Sequence, residues 1–402
     1  MDSQKLSCPK DDVLVVQLTG RMHFGAARGL HANGRLAALV TDFRVPPLLH
    51  FPARFNLTLR HYCVDLPNEK VHGNPLVGLK YRRDIKRLEI YSAQPHIIAS
   101  QKLASQAKKL ARSMDFSTIY SFDIQALETF SSFKGQGKRF VLEQCVAPRR
   151  TLIELMDRLA GNLTEDPNSY HRSQLKVLAD REEAEWKFAD IIVCPSPYVK
   201  SELLRYGVAD EKVKIVPYGF TPRAHTVNET VLRPKKRPLR ALFVGSVEPR
   251  KGPQDLVTAV KRLEGAVQLD MFGNLSKVNP KDYKSPHVVL HGKLPFPRIE
   301  QAYREADVFV LPSYLEGSAT VVYEAMSNGL PCIVTHETGS VIRDGVDGFI
   351  VPSGDIDTLT DRLRRLSNDP ALCSKMGQAA LSRSADFTLA KYGDRLCSAL
   401  KL

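Results

Sequence analysis

At 402 residues the chain is too long for one ordinary hydrophobic core and suits two domains of about 200 residues each. Hydrophobic residues at 43% and charged residues at 25% are globular values, which exclude a large disordered region. The net charge of +13 is unevenly placed: residues 1–220 hold 32 Lys/Arg against 24 Asp/Glu, and residues 70–112 alone, with 10 basic and 2 acidic side chains, account for that surplus of 8.

The opening MDSQKLSCPKDD lacks the apolar core of a signal peptide, and runs such as Val308–Leu311 are too short to span a bilayer, so a cytoplasmic protein is expected. Cysteines scattered at positions 8, 63, 145, 194, 332, 373 and 397, with no CxxC pair, fit reduced thiols rather than a disulfide frame or a zinc site. The sequon at Asn162 is then a chance match. The basic stretch 70–112, with Lys80, Arg82, Arg83, Lys86, Arg87, Lys102, Lys108, Lys109 and Arg112, reads most simply as a solvated helical face. Its functional alternative is a patch for anionic lipid headgroups, giving peripheral contact with the inner face of the membrane, or for a phosphate-bearing acceptor.

In chain order, the apolar run 13–18 predicts a buried parallel strand, Gly20 follows it, and a helix covers 26–30. Residues 36–40 predict a second strand. Prolines 46, 47, 67, 75 and 95 interrupt the periodicity of 45–111, which is otherwise helical and basic. Strands at 118–121 and 139–143 flank a helix at 125–133. A strand at 191–194 leads to Ser196 as N-cap and Pro197 as first residue of a helix. Residues 212–217 close this half. The composition of 221–238, TPRAHTVNETVLRPKKRP, is that of a linker. Beyond it, strands at 239–244, 267–272, 288–291, 308–311, 331–335 and 348–351 alternate with helices at 253–263, 296–304, 320–328 and 356–366, and Gly329 ends one of them. Such alternation predicts βαβ units and parallel sheets. The expected organisation is a Rossmann-like domain over 1–220, the linker 221–238, a second Rossmann-like domain over 239–385 and a C-terminal helix over 386–402 crossing back to the first.

Ligands in open parallel sheets bind beyond the C-terminal strand ends, where helix N-termini point. Two segments fit. In VGSVEPRKG a strand ends at Gly245, and a helix starts after Gly252. The glycines permit close approach, the helix start offers free N–H groups, and Arg250 and Lys251 add cations suited to a diphosphate. The bland account is a pair of surface charges before a helix. The GxxxxGKS pattern of kinases and ATPases is missing. In the second segment a strand leads through LPSYLEGSAT into a helix: the small residues Gly317, Ser318 and Ala319 expose N–H groups before Thr320, and Glu316 and Glu324 can accept from sugar hydroxyls. Carboxylates that merely complement the helix dipole are the simpler alternative.

Together the segments VGSVEPRKG, ADVFVLPSYLEGSATVVYEAMSNGLPCIVT and DGVDGFIVPSGD resemble the retaining glycosyltransferases of family 4, which have the GT-B fold, α/β with two Rossmann-like domains facing each other across a cleft. The Glu-x7-Glu spacing of Glu316 and Glu324 within its PS…EG…EAM…GLP frame carries most of that resemblance. More weakly, EAEWKFADIIVCPSPYVKSELLRYGVADEKVKIVPYG extends it upstream.

The resemblance implies a nucleotide-sugar donor, UDP-, GDP- or another, on the C-terminal domain, an acceptor glycan, glycolipid or small molecule on the N-terminal one, and neither metal nor other cofactor. Glu324 would hold the ribose, Glu316 the donor sugar, and the backbone of Ser318, Ala319 and Thr320 the sugar and distal phosphate. Lys251 would neutralise the leaving diphosphate. Leu294, in the loop 292–295, would lie against the base, with Gly245 and Ser246 along the phosphates and Gly20 approaching the donor from the other domain. Lys251 and Glu316 are thus the catalytic candidates. Ser246 stands where many relatives have Arg, which leaves the cationic role to Lys251 with Arg250. Tyr120 and Phe122, with Asp123 beside them, stand where many relatives carry a histidine, so His23, Tyr120 and Asp123 are the acceptor-side candidates, and His23 and His61 are the histidines that could compensate. A bacterial surface-polysaccharide or glycolipid pathway is the context implied. The rivals are a catalytically silent sugar-nucleotide binder, a sugar-nucleotide epimerase of the same fold and, more remotely, a nucleic-acid binder, for which no recognition motif is present.

Overall fold

The computed structural model describes residues 12–50, 62–88, 92–160, 169–221, 237–276 and 279–402. The expectations for the N-terminus, His61, the Asn162 sequon and most of the linker lie outside these residues. The chain divides into two compact units: one runs to Pro195 and includes Val199–Gly219 and Leu389–Leu402, and the other comprises Ser196–Tyr198 and Phe220–Thr388.

The first unit holds a seven-stranded parallel sheet of β1 Val13–Gln17, β2 Leu36–Thr41, β3 Val71–Gly73, β4 Thr118–Phe122, β5 Arg139–Glu143, β6 Ile191–Cys194 and β7 Val213–Ile215, in the order β3-β2-β1-β4-β5-β6-β7. Strands β1, β2 and β4 are buried at every position, which is why they read as unbroken apolar runs. The helices of this half are α1 Gly25–Ala32, α2 Pro75–Leu88, α3 Ala93–Leu110, α4 Leu127–Phe133, α5 Arg149–Ala160, α6 Ser169–Phe188 and α7 Pro197–Arg205. The interrupting prolines of the basic stretch turn out to sit in first helical turns: Pro75 opens α2, and Pro95 is the third residue of α3. Helix α4 starts two residues later than expected because the buried Glu185 carboxylate, on α6, takes the N–H groups of Ile124, Ala126 and Leu127 at 2.8, 2.9 and 3.0 Å. The C-terminal helix Leu389–Leu400 packs on α1 within this unit. The two backbones meet at Gly29 and Gly393, where a Cβ on Gly29 would lie 2.7 Å from the Gly393 Cα.

The second unit has six parallel strands, β8 Leu239–Val244, β9 Val267–Phe272, β10 Val288–Gly292, β11 Val308–Leu311, β12 Cys332–Thr335 and β13 Gly348–Val351, ordered β10-β9-β8-β11-β12-β13. Helices α8 Pro253–Lys261, α9 Phe296–Glu305, α10 Thr320–Ser327, α11 Ile356–Asn368 and α12 Pro370–Ser384 connect or follow them. The unexpected α12 buries small and sulfur-bearing residues, Cys373, Met376, Gly377 and Ala380, so its periodicity is faint. In both sheets the order reverses beside the first strand, between β1 and β4 and between β8 and β11. Loops leaving the C-terminal ends of those pairs diverge and open a crevice.

Candidate functional site

In the second unit the crevice lies at the ends of β8 and β11. After β8 comes Gly245 at φ 151°, then the 3-10 turn Pro249–Lys251, then Gly252 at φ 66° leading into α8. A Cβ on Gly252 would overlap the Pro312 carbonyl oxygen. The glycine is therefore demanded by the β11 loop pressing on it, and the Tyr314 N–H, donating to the Arg250 carbonyl at 2.8 Å, ties the two loops together. At Gly245 a Cβ would stand 3.2 Å from Lys251 Nζ, so that glycine clears room for the ammonium.

The charges meet in this crevice. Lys251 Nζ lies 2.9 Å from Glu316 Oε1, and Arg250 Nη1 lies 3.0 Å from the same oxygen. Arg250 also donates to the Leu315 carbonyl at 3.0 Å and pairs with Glu248 at 2.7 Å. Lys251 and Glu316 are only 13% and 16% exposed. Burial opposes the carboxylate charge, but Lys251 and Arg250 outweigh it and hold Glu316 below the usual carboxylate range.

The loop carrying Glu316 is propped from beneath by the turn His336–Thr338. Glu316 N–H donates to the Glu337 carbonyl at 2.9 Å and Ala319 N–H to the Thr338 carbonyl at 3.3 Å. Gly339 follows at φ 63°, where a side chain would strike the Gly317 carbonyl, which also accepts from Ser196 Oγ at 2.6 Å. Helix α10 begins at Thr320 with no side-chain cap from Ala319, and the N–H groups of Thr320 and Val321 precede the first intrahelical acceptor. Ser318 is buried and its hydroxyl is within 2.8 Å of Tyr323 Oη, so the backbone at 318 is the part left for a ligand. Half-buried Glu324, just over a turn into α10, accepts from Tyr303 Oη at 3.1 Å. Leu294 and Ser246 are half-buried, Leu294 leaning on the core.

In the first unit, Gly20 is buried just after β1, and Thr19, Met22, His23 and Phe24 all have positive φ, at 69°, 50°, 50° and 59°. Non-glycine residues in that region cost on the order of 1–3 kcal/mol each. Surrounding bonds hold the turn: Gln17 Nε2 donates to the carbonyls of Thr19 and Arg21, and Thr19 N–H donates to Asp42 Oδ1 at 2.7 Å. His23 sits half-buried in this strained turn. Asp123, 3% exposed just past β4, takes Arg149 in an ion pair and the Cys145 N–H at 3.2 Å, with Arg21 at 3.8 Å. Burial disfavours its charge, yet Arg149 and Arg21 prevail and lower it.

Tyr120 requires correction as an acceptor-side candidate: it is fully buried in β4, and its hydroxyl is spent on Glu143 at 2.6 Å. Several residues here escaped the sequence argument. Asp42 is wholly buried after β2, and burial pushes its carboxyl up despite the Thr19 N–H. Arg149 bridges Asp123 and the buried Glu182, the latter at 2.6 Å. A polar residue directly after a buried run, as at Asp42, and arginines at a helix start against the dipole, as at Arg149, were the available signals.

Residues 227–383 match the family Glycosyl transferases group 1. The chain is 30% identical over 244 residues to a D-inositol 3-phosphate glycosyltransferase of Arthrobacter sp. (strain FB24), covering 53% of this chain and 58% of that one. The match thus spans under three fifths of the relative's length. In structure it is similar to sucrose-phosphate synthase from Thermosynechococcus elongatus, with a TM-score of 0.67 and 16% identity over 98% of each chain. It is also similar to Anabaena HepE in complex with UDP and glucose, with a TM-score of 0.60 and 15% identity over 97% of this chain and 99% of that one. The fold is GT-B: two parallel-sheet, Rossmann-like α/β units of seven and six strands. The second unit carries the sequence likeness to glycosyl transferases group 1.

Proposed function

We propose that this protein is a retaining glycosyltransferase of the family 4 kind, which moves a hexosyl group from a nucleoside diphosphate sugar to a hydroxyl of a glycan, glycolipid or small molecule. The observation that carries the reading is the meeting of Lys251, Arg250 and Glu316 at the sheet's switch point, beside the uncapped start of α10. In the reaction the bond between the anomeric carbon and the distal phosphate oxygen breaks. The acceptor oxygen forms the new bond on the same face and loses its proton, and the nucleoside diphosphate departs. Charge grows on the diphosphate in the transition state, and Lys251 with Arg250, released from Glu316 by the bound diphosphate, offers the matching positive charge. Glu324 takes the ribose hydroxyls, Glu316 the donor sugar, and the backbone from Ser318 to Thr320 the sugar and distal phosphate. Leu294 lies against the base. Neutralisation by these side chains makes a metal unnecessary.

The relative's solved complex with UDP and glucose makes UDP-glucose the first donor to try. The test is calorimetric titration with UDP and UDP-glucose, followed by assay of sugar release or transfer and of the product's anomeric configuration by NMR. Binding with turnover and retention supports the proposal. Binding without turnover on any donor or acceptor would identify a silent binder, interconversion of the donor sugar an epimerase, and an inverted product would remove retention.

A further inference from the structure

We propose that the outward stripe of α2 docks this protein onto an anionic lipid bilayer. Projected at 100° per residue, Leu76, Leu79, Lys80, Arg83, Lys86 and Arg87 fall within an arc of about 120°. Leu76 and Leu79 are 79% and 60% exposed, and the four cations are exposed as well. A solvated face explains the cations but not two leucines held in water among them.

The orientation of that stripe is fixed from the opposite side. Gly78 is buried where a Cβ would stand 3.0 Å from Asp42 Oδ2 and from the Phe43 Cβ. The Arg82 guanidinium lies over the rings of Phe43 and Tyr62, at 4.7 and 5.0 Å from their centroids. The helix cannot roll its leucines inward without breaking these contacts. A second apolar point comes from the same region of chain: the turn Pro47–Leu49, a few residues past Phe43, leaves Leu48 95% and Leu49 54% exposed. Helix α3 adds exposed Lys102, Lys108 and Lys109.

Leucines that enter the headgroup boundary and cations that meet anionic headgroups are the two attractions an interfacial helix combines. No helix among the described residues is long and apolar enough to cross a membrane, so the contact proposed is with the bilayer surface. The inference stands apart from the transferase reading, since its test reads binding alone.

The test is sedimentation of the full chain with vesicles of phosphatidylcholine, with and without phosphatidylglycerol. The wild type should bind the anionic vesicles, should release with rising salt, and should ignore the neutral ones. A cation at such a surface is worth roughly fivefold in partition, so Lys80→Gln/Arg83→Gln should weaken binding roughly 30-fold. Leu76→Ser/Leu79→Ser, which keeps every charge, should weaken it by at least about tenfold. Circular dichroism confirms that both variants remain folded. Equal binding to neutral vesicles, or unchanged binding in the leucine variant, overturns the proposal. So does release by inorganic phosphate at constant ionic strength, which would assign the cations to a soluble phosphate ligand.

Discussion

Replacing Glu316 by Gln tests the site at its centre. The Glu316 Oε1 atom is counter-ion to Lys251 at 2.9 Å and to Arg250 at 3.0 Å. Glutamine keeps the shape and deletes the charge. Arg250 retains Glu248 and the Leu315 carbonyl, so the loss falls mainly on Lys251, 13% exposed. A hydrogen bond to a charged partner is worth roughly 1.5–3 kcal/mol, and the variant should be less stable by that amount. For a domain of this size each kcal/mol lowers the melting temperature by about 2–4 °C. The pH dependence has a definite sign. The lowered Glu316 carboxyl contributes stability above its unfolded value of about 4.3, and that stability is lost as pH falls through the lower folded value. The gap between wild type and variant should therefore be open at pH 7 and close in acid. Binding should move the other way. A diphosphate must displace Glu316 from the cations in the wild type but not in the variant, so UDP should bind at least as tightly, by up to about tenfold for each 1.4 kcal/mol recovered. Thermal unfolding across pH and calorimetry with UDP measure both. Equal melting temperatures at pH 7, or UDP binding more than about tenfold weaker in the variant, would refute the reasoning.

Four further outcomes are expected. Glu324→Ala should weaken UDP-glucose binding at least about tenfold by calorimetry, while Tyr303→Phe, which removes only the hydroxyl donating to Glu324, should cost a few-fold at most. Lys251→Ala should lower kcat by about 10²–10³ while shifting KM far less, as steady-state kinetics will show. Gly252→Ala forces a side chain at φ 66° into the Pro312 carbonyl, so it should destabilise the protein by more than about 2 kcal/mol in thermal unfolding, with Gly135→Ala, at positive φ but in open space, a milder control. On the proposed reading, in which Lys251 and Arg250 neutralise the diphosphate, chelation by EDTA should leave transfer unchanged.

The second unit was legible because its strands are short, mostly buried and separated by clear helical segments. Val308–Leu311 begins and ends where its apolar run does, and Val267–Phe272 shows the alternation of buried Val267, Leu269 and Met271 with half-buried Gln268 and Asp270. The first unit was less so. Strand β3 has three residues and only Val71 buried, too little for a period to register. Helices α5 and α6 are joined by long-range charge, Arg149 to Glu182 and Arg150 to Glu183, and the buried face of α6 mixes Leu175, Leu178 and Trp186 with Glu182 and Glu185, which blurs its apolar period. The same holds for function. Lys251 and Glu316 are 65 residues apart, yet each lies just past a buried run in a sheet whose order makes those two strands neighbours. The strained turn at Thr19–Phe24 had no such marker, since positive φ at threonine, methionine and phenylalanine is held by the side chain of Gln17 within the turn and by the long-range bond from the Thr19 N–H to Asp42.

An acid facing two cations is what a purely structural ion pair would also show, so the pair alone does not argue for a phosphate site. The surroundings do. A structural pair needs no glycine at 245 to clear the ammonium, and it does not need a helix start left uncapped beside it. Without Glu316 only Glu248, paired to Arg250, would remain as counter-charge, and Lys251 at low exposure beside Arg250 would be destabilised by repulsion and lost hydration. Glu316 removes that cost. It does so with a single oxygen, Oε1, bonded to both cations. A diphosphate, with more oxygens and more charge, can outcompete it and turn Glu316 toward sugar hydroxyls. On this account the loop bonds from Glu337, Thr338 and Ser196 matter because they hold the backbone still while the side chain exchanges partners.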